Sequence, residues 1–357
     1  MERLEIMNKE FLKEMLNTVS VTGNEEALQQ KIIDYSKSFA DKLMVDPMSN
    51  VISVINPKSD FRIMLCGHAD EIGFRVTYVD EGGFIHVQRA GGVNPKLYVG
   101  YPMQIIHEEN GKYNKINGVG VYTRDLLKKS EFDESDLLID IGANSKEEAL
   151  KLVSVGDSVC ADTVVRELLN DNFSCRALDD KSGAFTVIEA GRKAKEKGSD
   201  NGIYVNTSTG EESSGRGAYF ASEGIKPDCA VIVDVTWASD YPGTDKGTTG
   251  DIKVGGGPVL CLSGMVNKKL NTLMQEIAKE KNIPLQYEIA GGRTATDGDT
   301  IAFTGNGVPI VLVSIPERYM HSSVEVTNWK DIEQCIELIA EFCVRIKKDF
   351  DFNTLKI

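Results

Sequence analysis

The sequence predicts an α/β protein in two parts: a mixed-sheet domain assembled from two separated chain segments, and a small β-barrel-like domain inserted between them. Three observations carry this reading. Strand-length apolar runs alternate with segments of helical periodicity before residue 71 and again from about residue 174. Between Ile72 and Val165 the texture changes to short strands and turns. A chain of 357 residues also exceeds one ordinary core. The expected boundaries are 1–71 with 166–357 for the larger domain, and 72–165 for the insert.

Taken in order, residues 8–17 and 25–40 read as amphipathic helices. Phe11, Met15 and Leu16 form one apolar stripe, and Leu28, Ile32, Tyr35 and Phe39 form the other. Asn24 is the expected N-cap of the second. Val51 to Ile55 is a short strand ended by Asn56-Pro57, and 62–67 is the next. In the insert, Phe74, Val76 and Tyr78 alternate, and Met103 to Ile116 folds around Asn110-Gly111, a strong hairpin signal. A short helix is expected at about 146–153, with Ser145 as cap and Glu148 completing a capping box. Beyond it, 181–197, 216–223, 266–282 and 329–348 read as helices. Residues 202–206, 228–233, 285–289 and 309–313 read as strands.

Composition narrows the function classes. The chain is 41% hydrophobic and 26% charged, as a globular protein is. A net charge of −14 argues against nucleic acid or an anionic membrane surface as partner. Met1-Glu2-Arg3-Leu4-Glu5 lacks the basic and apolar order of a signal peptide, and no apolar run approaches membrane-spanning length. Seven cysteines, an odd number without a Cys-x-x-Cys pair, fit a reducing cytoplasm and argue against thiolate zinc sites. With only four histidines, a metal site must lean on carboxylates.

The strand at 62–67 ends in Gly67-His68-Ala69-Asp70. In an extended segment residues i and i+2 share a side, so His68 and Asp70 can face one site. Other polar clusters also follow apolar strands or open helices. Asp179-Asp180 opens a helix, Glu211-Glu212 follows Thr209-Gly210, Asp234 ends Cys229 to Val233, and His321 follows the strand at 309–313. Open α/β sheets bind ligands beyond the carboxyl ends of their strands, so these groups can converge there. Two histidines and three carboxylates suffice for two divalent ions sharing one carboxylate, and nitrogen and oxygen donors suit Zn²⁺, Co²⁺ or Mn²⁺ better than Mg²⁺ or Ca²⁺. If one of the adjacent glutamates binds metal, the other is free to take a proton from water. Asp179-Asp180 could equally cap the helix that follows. His86 and His107 read as structural or exposed, and Asp297 and Asp299 as loop-shaping.

The order of these residues resembles the TET-type metallo-aminopeptidases, the group of glutamyl and deblocking aminopeptidases, some of which are labelled cellulase or endoglucanase. The resemblance is carried by Gly67 to Gly73, Arg176 to Lys181, Thr209 to Glu212, Val233 to Thr236, Ile315 to Ser322 and, in the insert, Ile139 to Ala143. It implies a zinc-peptidase-like catalytic domain, with His68 and Asp234 on one ion, Glu212 and His321 on the other, and Asp179 touching both. It also implies Glu211 as catalytic acid/base, Asp70 as the residue that orients His68, and an unusual cis peptide bond between Asp179 and Asp180. Spacing alone leaves the choice between those two aspartates open. Ser213-Ser214-Gly215 and the loop Gly291 to Asp297 depart from the commoner family pattern.

The expected function is therefore removal of N-terminal residues from peptides by a metal-bridged water, with Glu211 as general base and two zinc or cobalt ions as cofactors. The resemblance further implies a homo-oligomer: a dimer through the inserted domain, assembled into a dodecamer. An aminoacylase or carboxypeptidase of the same dinuclear superfamily, or a catalytically silent scaffold, is the alternative. Sugar chemistry is disfavoured, because nothing resembles an aromatic platform and there are two tryptophans.

Overall fold

A computed structural model describes residues 7–129 and 131–355. Met1 to Glu5, read above for a targeting signal, lie outside the described residues. The first helices are α1 (Lys9–Asn17) and α2 (Glu26–Ser36), followed by strands β1 (Lys42–Val45), β2 (Val51–Ile55) and β3 (Arg62–His68). Six strands follow: β4 (Gly73–Val79), β5 (Ile85–Ala90), β6 (Pro102–Glu109), β7 (Lys112–Val121), β8 (Leu138–Asp140) and β9 (Ser158–Ala161), with α3 (Lys146–Ala149) before the last. Then come β10 (Arg166–Glu167), β11 (Asn172–Cys175), α4 (Leu178–Glu196), β12 (Gly202–Ser208), α5 (Arg216–Ile225), β13 (Cys229–Trp237), α6 (Lys246–Thr249) and β14 (Val259–Ser263). The chain continues with α7 (Lys268–Lys281), β15 (Gln286–Ala290), α8 (Gly298–Ile301), β16 (Ile310–Glu317), β17 (Glu325–Asn328) and α9 (Trp329–Arg345).

The predicted mixed sheet has eight strands in the order β1-β2-β12-β3-β13-β16-β14-β15. Its centre, β12-β3-β13-β16, is parallel, and antiparallel pairs flank it. Strand β3 shows how the pleat sorts side chains. Ile63 and Leu65 join the core under α1, α4, α7 and α9, while Met64 and Cys66 join the core under α5 and α8. The parallel strands are buried on both faces, which is why they read as continuous apolar runs. Strands β4 to β9 close into a six-stranded barrel with its own core. Asn110 and Gly111 both adopt positive φ at the predicted hairpin, as a two-residue turn between β6 and β7 requires.

Some local expectations differ. Helix α2 begins at Glu26 without a side-chain cap, and Asn24 instead accepts a hydrogen bond from Arg75 of β4. The competing partner is a cationic donor, which outranks a neutral backbone amide. Ser145 caps α3 as expected, but Glu148 bonds the Asn144 amide, one residue before the usual box position. All seven cysteines are free and buried.

A buried ion triad pins the end of β3 to the start of α4. One oxygen of Glu71 accepts from the Ser20 amide (2.9 Å) and from Lys181 Nζ (2.7 Å), and the other pairs with Arg176. Lys181 also donates to the Thr18 carbonyl (2.6 Å). Removing the shared anion would leave two buried cations facing each other. Glu71→Ala is therefore expected to lower the unfolding free energy by about 3–5 kcal/mol, read from urea denaturation; a loss under about 1 kcal/mol would contradict the structural role assigned to the triad.

Candidate metal centre

The parallel strands deliver their polar residues to one edge. His68 is the last residue of β3, Asp234 lies in β13, Glu211 and Glu212 follow β12, and His321 follows β16. Asp179 and Asp180 sit at the start of α4, outside helical geometry and joined by a cis peptide bond. The structure places these residues, and Asp70 with them, side by side at that edge.

The two aspartates divide the work that the sequence left open. Asp180 accepts from the Gly183 amide (3.1 Å) and from the His68 amide (3.1 Å), so it caps the helix and ties it to β3. The two Asp179 oxygens instead address the two histidines separately. Oδ1 lies 3.1 Å from His68 Nε2, and Oδ2 lies 3.1 Å from His321 Nε2. Glu212 Oε1 is 3.6 Å from His321 Nε2, and Glu211 Oε2 is 4.0 Å from His68 Nε2.

Asp70 does more than the sequence suggested. Its carboxylate accepts from the amides of both Glu211 and Glu212, each at 3.1 Å. His68 Nδ1 is 3.1 Å from the Asp70 carbonyl and 3.5 Å from its carboxylate. One residue thus holds the ring of His68 and the backbone of the glutamate pair. His321 is held from the barrel side: a Cβ on Gly92 would lie 2.9 Å from its ring, so the connection after β5 needs glycine to approach it.

Charge is crowded here. Burial pushes the carboxyls of Asp180, Glu212 and Asp234 well above the ordinary range, and neighbouring carboxylates push further. Glu211 is pushed up to about 8, first by burial and then by Asp297 and Asp179 against the pull of His68. Asp179 goes the other way: burial opposes its charge, but hydrogen bonds from His321 and His68 hold its pKa below normal. Burial opposes a charged His68, yet Asp179 and Asp70 raise its pKa well above normal. Buried groups of this kind are satisfied by protons or by cations.

The donor set fits divalent cations. His68, Asp180 and Asp234 offer ligand atoms within 4.8 Å of one another, and so do His68, Asp179 and Glu212. Glu212 Oε1 is buried with no hydrogen-bond partner among the described residues. A buried carboxylate oxygen with no donor, beside two imidazoles, fits a cation ligand.

Three further acidic residues support the site, and the sequence reading either missed them or took them as loop-shaping. Glu325 accepts from the Leu178 amide (2.7 Å) with one oxygen and from the His321 amide (3.0 Å) with the other, so it couples two of the segments that form the site. Glu317 is fully buried beside it, and neither of its oxygens has a partner among the described residues. Asp297 accepts from Ser208 and Cys66 behind Glu211, where burial lifts its pKa to about 6. Lone acidic residues in a strand or loop carry no spacing signal that could have found them. Asp299 does shape its loop, accepting from the amides of Thr294 and Ala295 at 2.8 Å each. His107 pairs with Asp157 at 3.0 Å, and His86 packs on Tyr78; both are barrel residues.

The site opens into a cavity of about 580 Å³. Asp179, Glu211, Glu212, Asp234, Glu288 and Asp299 line it, and no Lys or Arg does among the described residues.

Comparison with known proteins gives a consistent result. The M42 glutamyl aminopeptidase family matches residues 49–338. A lysyl aminopeptidase of Pyrococcus furiosus is 31% identical over 96% of this chain and 99% of its own length. The crystal structure of a TET aminopeptidase from a marine-sediment Thaumarchaeota archaeon superposes with a TM-score of 0.89 at 28% identity, covering 95% of this chain and 96% of that one. The TET1 peptidase of Pyrococcus horikoshii, described as assembling into a tetrahedron or a large octahedral shell, matches with a TM-score of 0.83 at 28% identity over 95% of this chain and 99% of that one.

Proposed function

The chain belongs to the M42 glutamyl aminopeptidase family and is a metal-dependent aminopeptidase, and we propose that the cluster at the strand ends is its catalytic centre. His68 and Asp234 would hold one divalent cation, Glu212 and His321 a second, and Asp179 would span both. The observation that carries this is the placement of the two Asp179 oxygens, each 3.1 Å from a different histidine. Imidazole and carboxylate donors favour zinc or cobalt as the ions. When bound, the ions would polarise the scissile carbonyl and lower the pKa of the attacking water.

The protein's own groups supply the rest. Glu211 stands beside the cluster without belonging to either triad, so its carboxylate is free to accept the proton of the attacking water and return it to the departing amine. Asp70 is the positioning residue, holding Glu211, Glu212 and His68 in register. The acidic lining of the cavity attracts a peptide's α-ammonium group and repels a terminal carboxylate, which favours an aminopeptidase over a carboxypeptidase.

We further take 1–71 with 166–357 as the catalytic unit and 72–165 as the segment through which two copies pair. On this reading the protein is a homo-oligomer built from dimers and reaching a dodecamer, in keeping with the shells formed by the Pyrococcus horikoshii relative. Peptides are its substrates. No described helix is long and apolar enough to cross a membrane, and seven free thiols suit the cytoplasm.

Two measurements test this. Glu211→Gln is expected to keep its divalent cations by calorimetry while losing roughly 10²- to 10⁴-fold in kcat on aminoacyl anilides; unchanged turnover refutes the assignment. Light scattering is expected to show an oligomer, and a lone monomer at micromolar concentration would rule out the assembly.

A further inference from the structure

Three carboxylates lining the cavity, Glu211, Glu288 and Asp299, belong to neither cation triad, and Glu288 is the one with no role assigned so far. Glu288 projects from β15, near the open edge of the sheet, and lines the cavity. Its Oε1 accepts from Ser314 Oγ at 2.6 Å, and its Oε2 accepts from Thr236 Oγ1. These partners fix where it lies. Ser314 is the register neighbour of Asp234 across β13 and β16. Thr236 lies two residues beyond Asp234 on the same face of β13, about 7 Å along the strand. Glu288 therefore stands roughly one extended side chain from the proposed metal centre.

The cradle leaves the carboxylate underused. An ionised carboxylate offers about four acceptor sites, and the two hydroxyls occupy two. Burial raises the Glu288 pKa above the ordinary range, and the Ser314 and Thr236 hydroxyls offset only part of that. No Lys or Arg lines the cavity among the described residues, and both partners of Glu288 are neutral hydroxyls. Leu312, two residues before Ser314 on the same face of β16, adds an apolar wall to the same cavity. An apolar wall ending at a carboxylate is complementary to a methylene stem ending in a cation.

Resting on the aminopeptidase reading above, we propose that Glu288 is the specificity residue for the side chain of the N-terminal residue being released, and that it selects lysine or arginine. Lysine's ammonium or arginine's guanidinium donates to the two acceptor sites that Ser314 and Thr236 leave open. A neutral side chain would cover Glu288 without filling the two acceptor sites that the hydroxyls leave open. A glutamyl or aspartyl side chain meets like charge in a cavity that already holds six carboxylates.

The test uses the cation-loaded enzyme with lysyl, arginyl, leucyl and glutamyl p-nitroanilides, together with calorimetric binding of lysinamide and leucinamide. The wild type is expected to favour lysyl and arginyl over leucyl substrates by at least about 10-fold in kcat/KM, and glutamyl least of all. In Glu288→Gln, an isosteric change, the lysyl-to-leucyl ratio is expected to fall roughly 10- to 100-fold. An active enzyme that prefers leucyl or glutamyl substrates, or a folded Glu288→Gln with an unchanged ratio, overturns the proposal. Should the variant not fold, the wild-type ranking decides. A protein that hydrolyses nothing yet binds lysinamide more tightly than leucinamide overturns the reaction assigned above and supports the pocket. One that binds both equally overturns the pocket as well.

Discussion

Everything at the strand ends follows from one electrostatic constraint: more carboxylates are buried there than the surrounding protein can neutralise. Asp179, Asp180, Glu212 and Asp234 crowd around two imidazoles, with Glu317 and Glu325 buried close behind. Burial and mutual repulsion raise the pKa values of Glu212 and Asp234, and the carboxylates raise that of His68, so the cluster favours whatever positive charge it can take up. Burying like charges together costs stability unless a partner of opposite charge is present. Divalent cations remove the conflict at its source, and that preference ties the architecture to metallopeptidase chemistry.

The scaffold is arranged to hold this cluster still. Four parallel strands end at the same edge, so residues far apart in the chain arrive with fixed spacing. Backbone amides then lock the arrangement. Asp70 gathers those of Glu211 and Glu212, Asp180 those of His68 and Gly183, and Glu325 those of Leu178 and His321. Beneath them the Glu71–Arg176–Lys181 triad joins β3 to α4. Side chains held on rigid elements in this way would need little reorganisation to bind a cation.

Much of this was legible in the sequence, for physical reasons that can be named. The central strands are buried on both faces, so β3, β13 and β16 stand out as apolar runs. Helix α9 shows its buried face by its period, and Asn110-Gly111 marks its hairpin by turn chemistry. Other features left no local trace. Strand β1 lies half-exposed at the sheet edge, and β10 is two residues long. Asn24 followed a tertiary partner, Arg75, over its local helix. The candidate ligand clusters were visible because each follows a strand or opens a helix, and only the family resemblance favoured Asp179 over Asp180. The supporting acids Glu317 and Glu325, like Glu288, could be placed only once the strands were side by side. Their roles depend on register, which no single segment contains.

The most direct test of the central claim is anomalous diffraction from crystals soaked in zinc, recorded on either side of the metal's absorption edge. The account predicts two peaks within about 2.0–2.2 Å of their donors, both touching Asp179. His68 and Asp234 complete one set of donors, and Glu212 and His321 the other. An empty pocket at saturating metal, or peaks that avoid these five side chains, would contradict it.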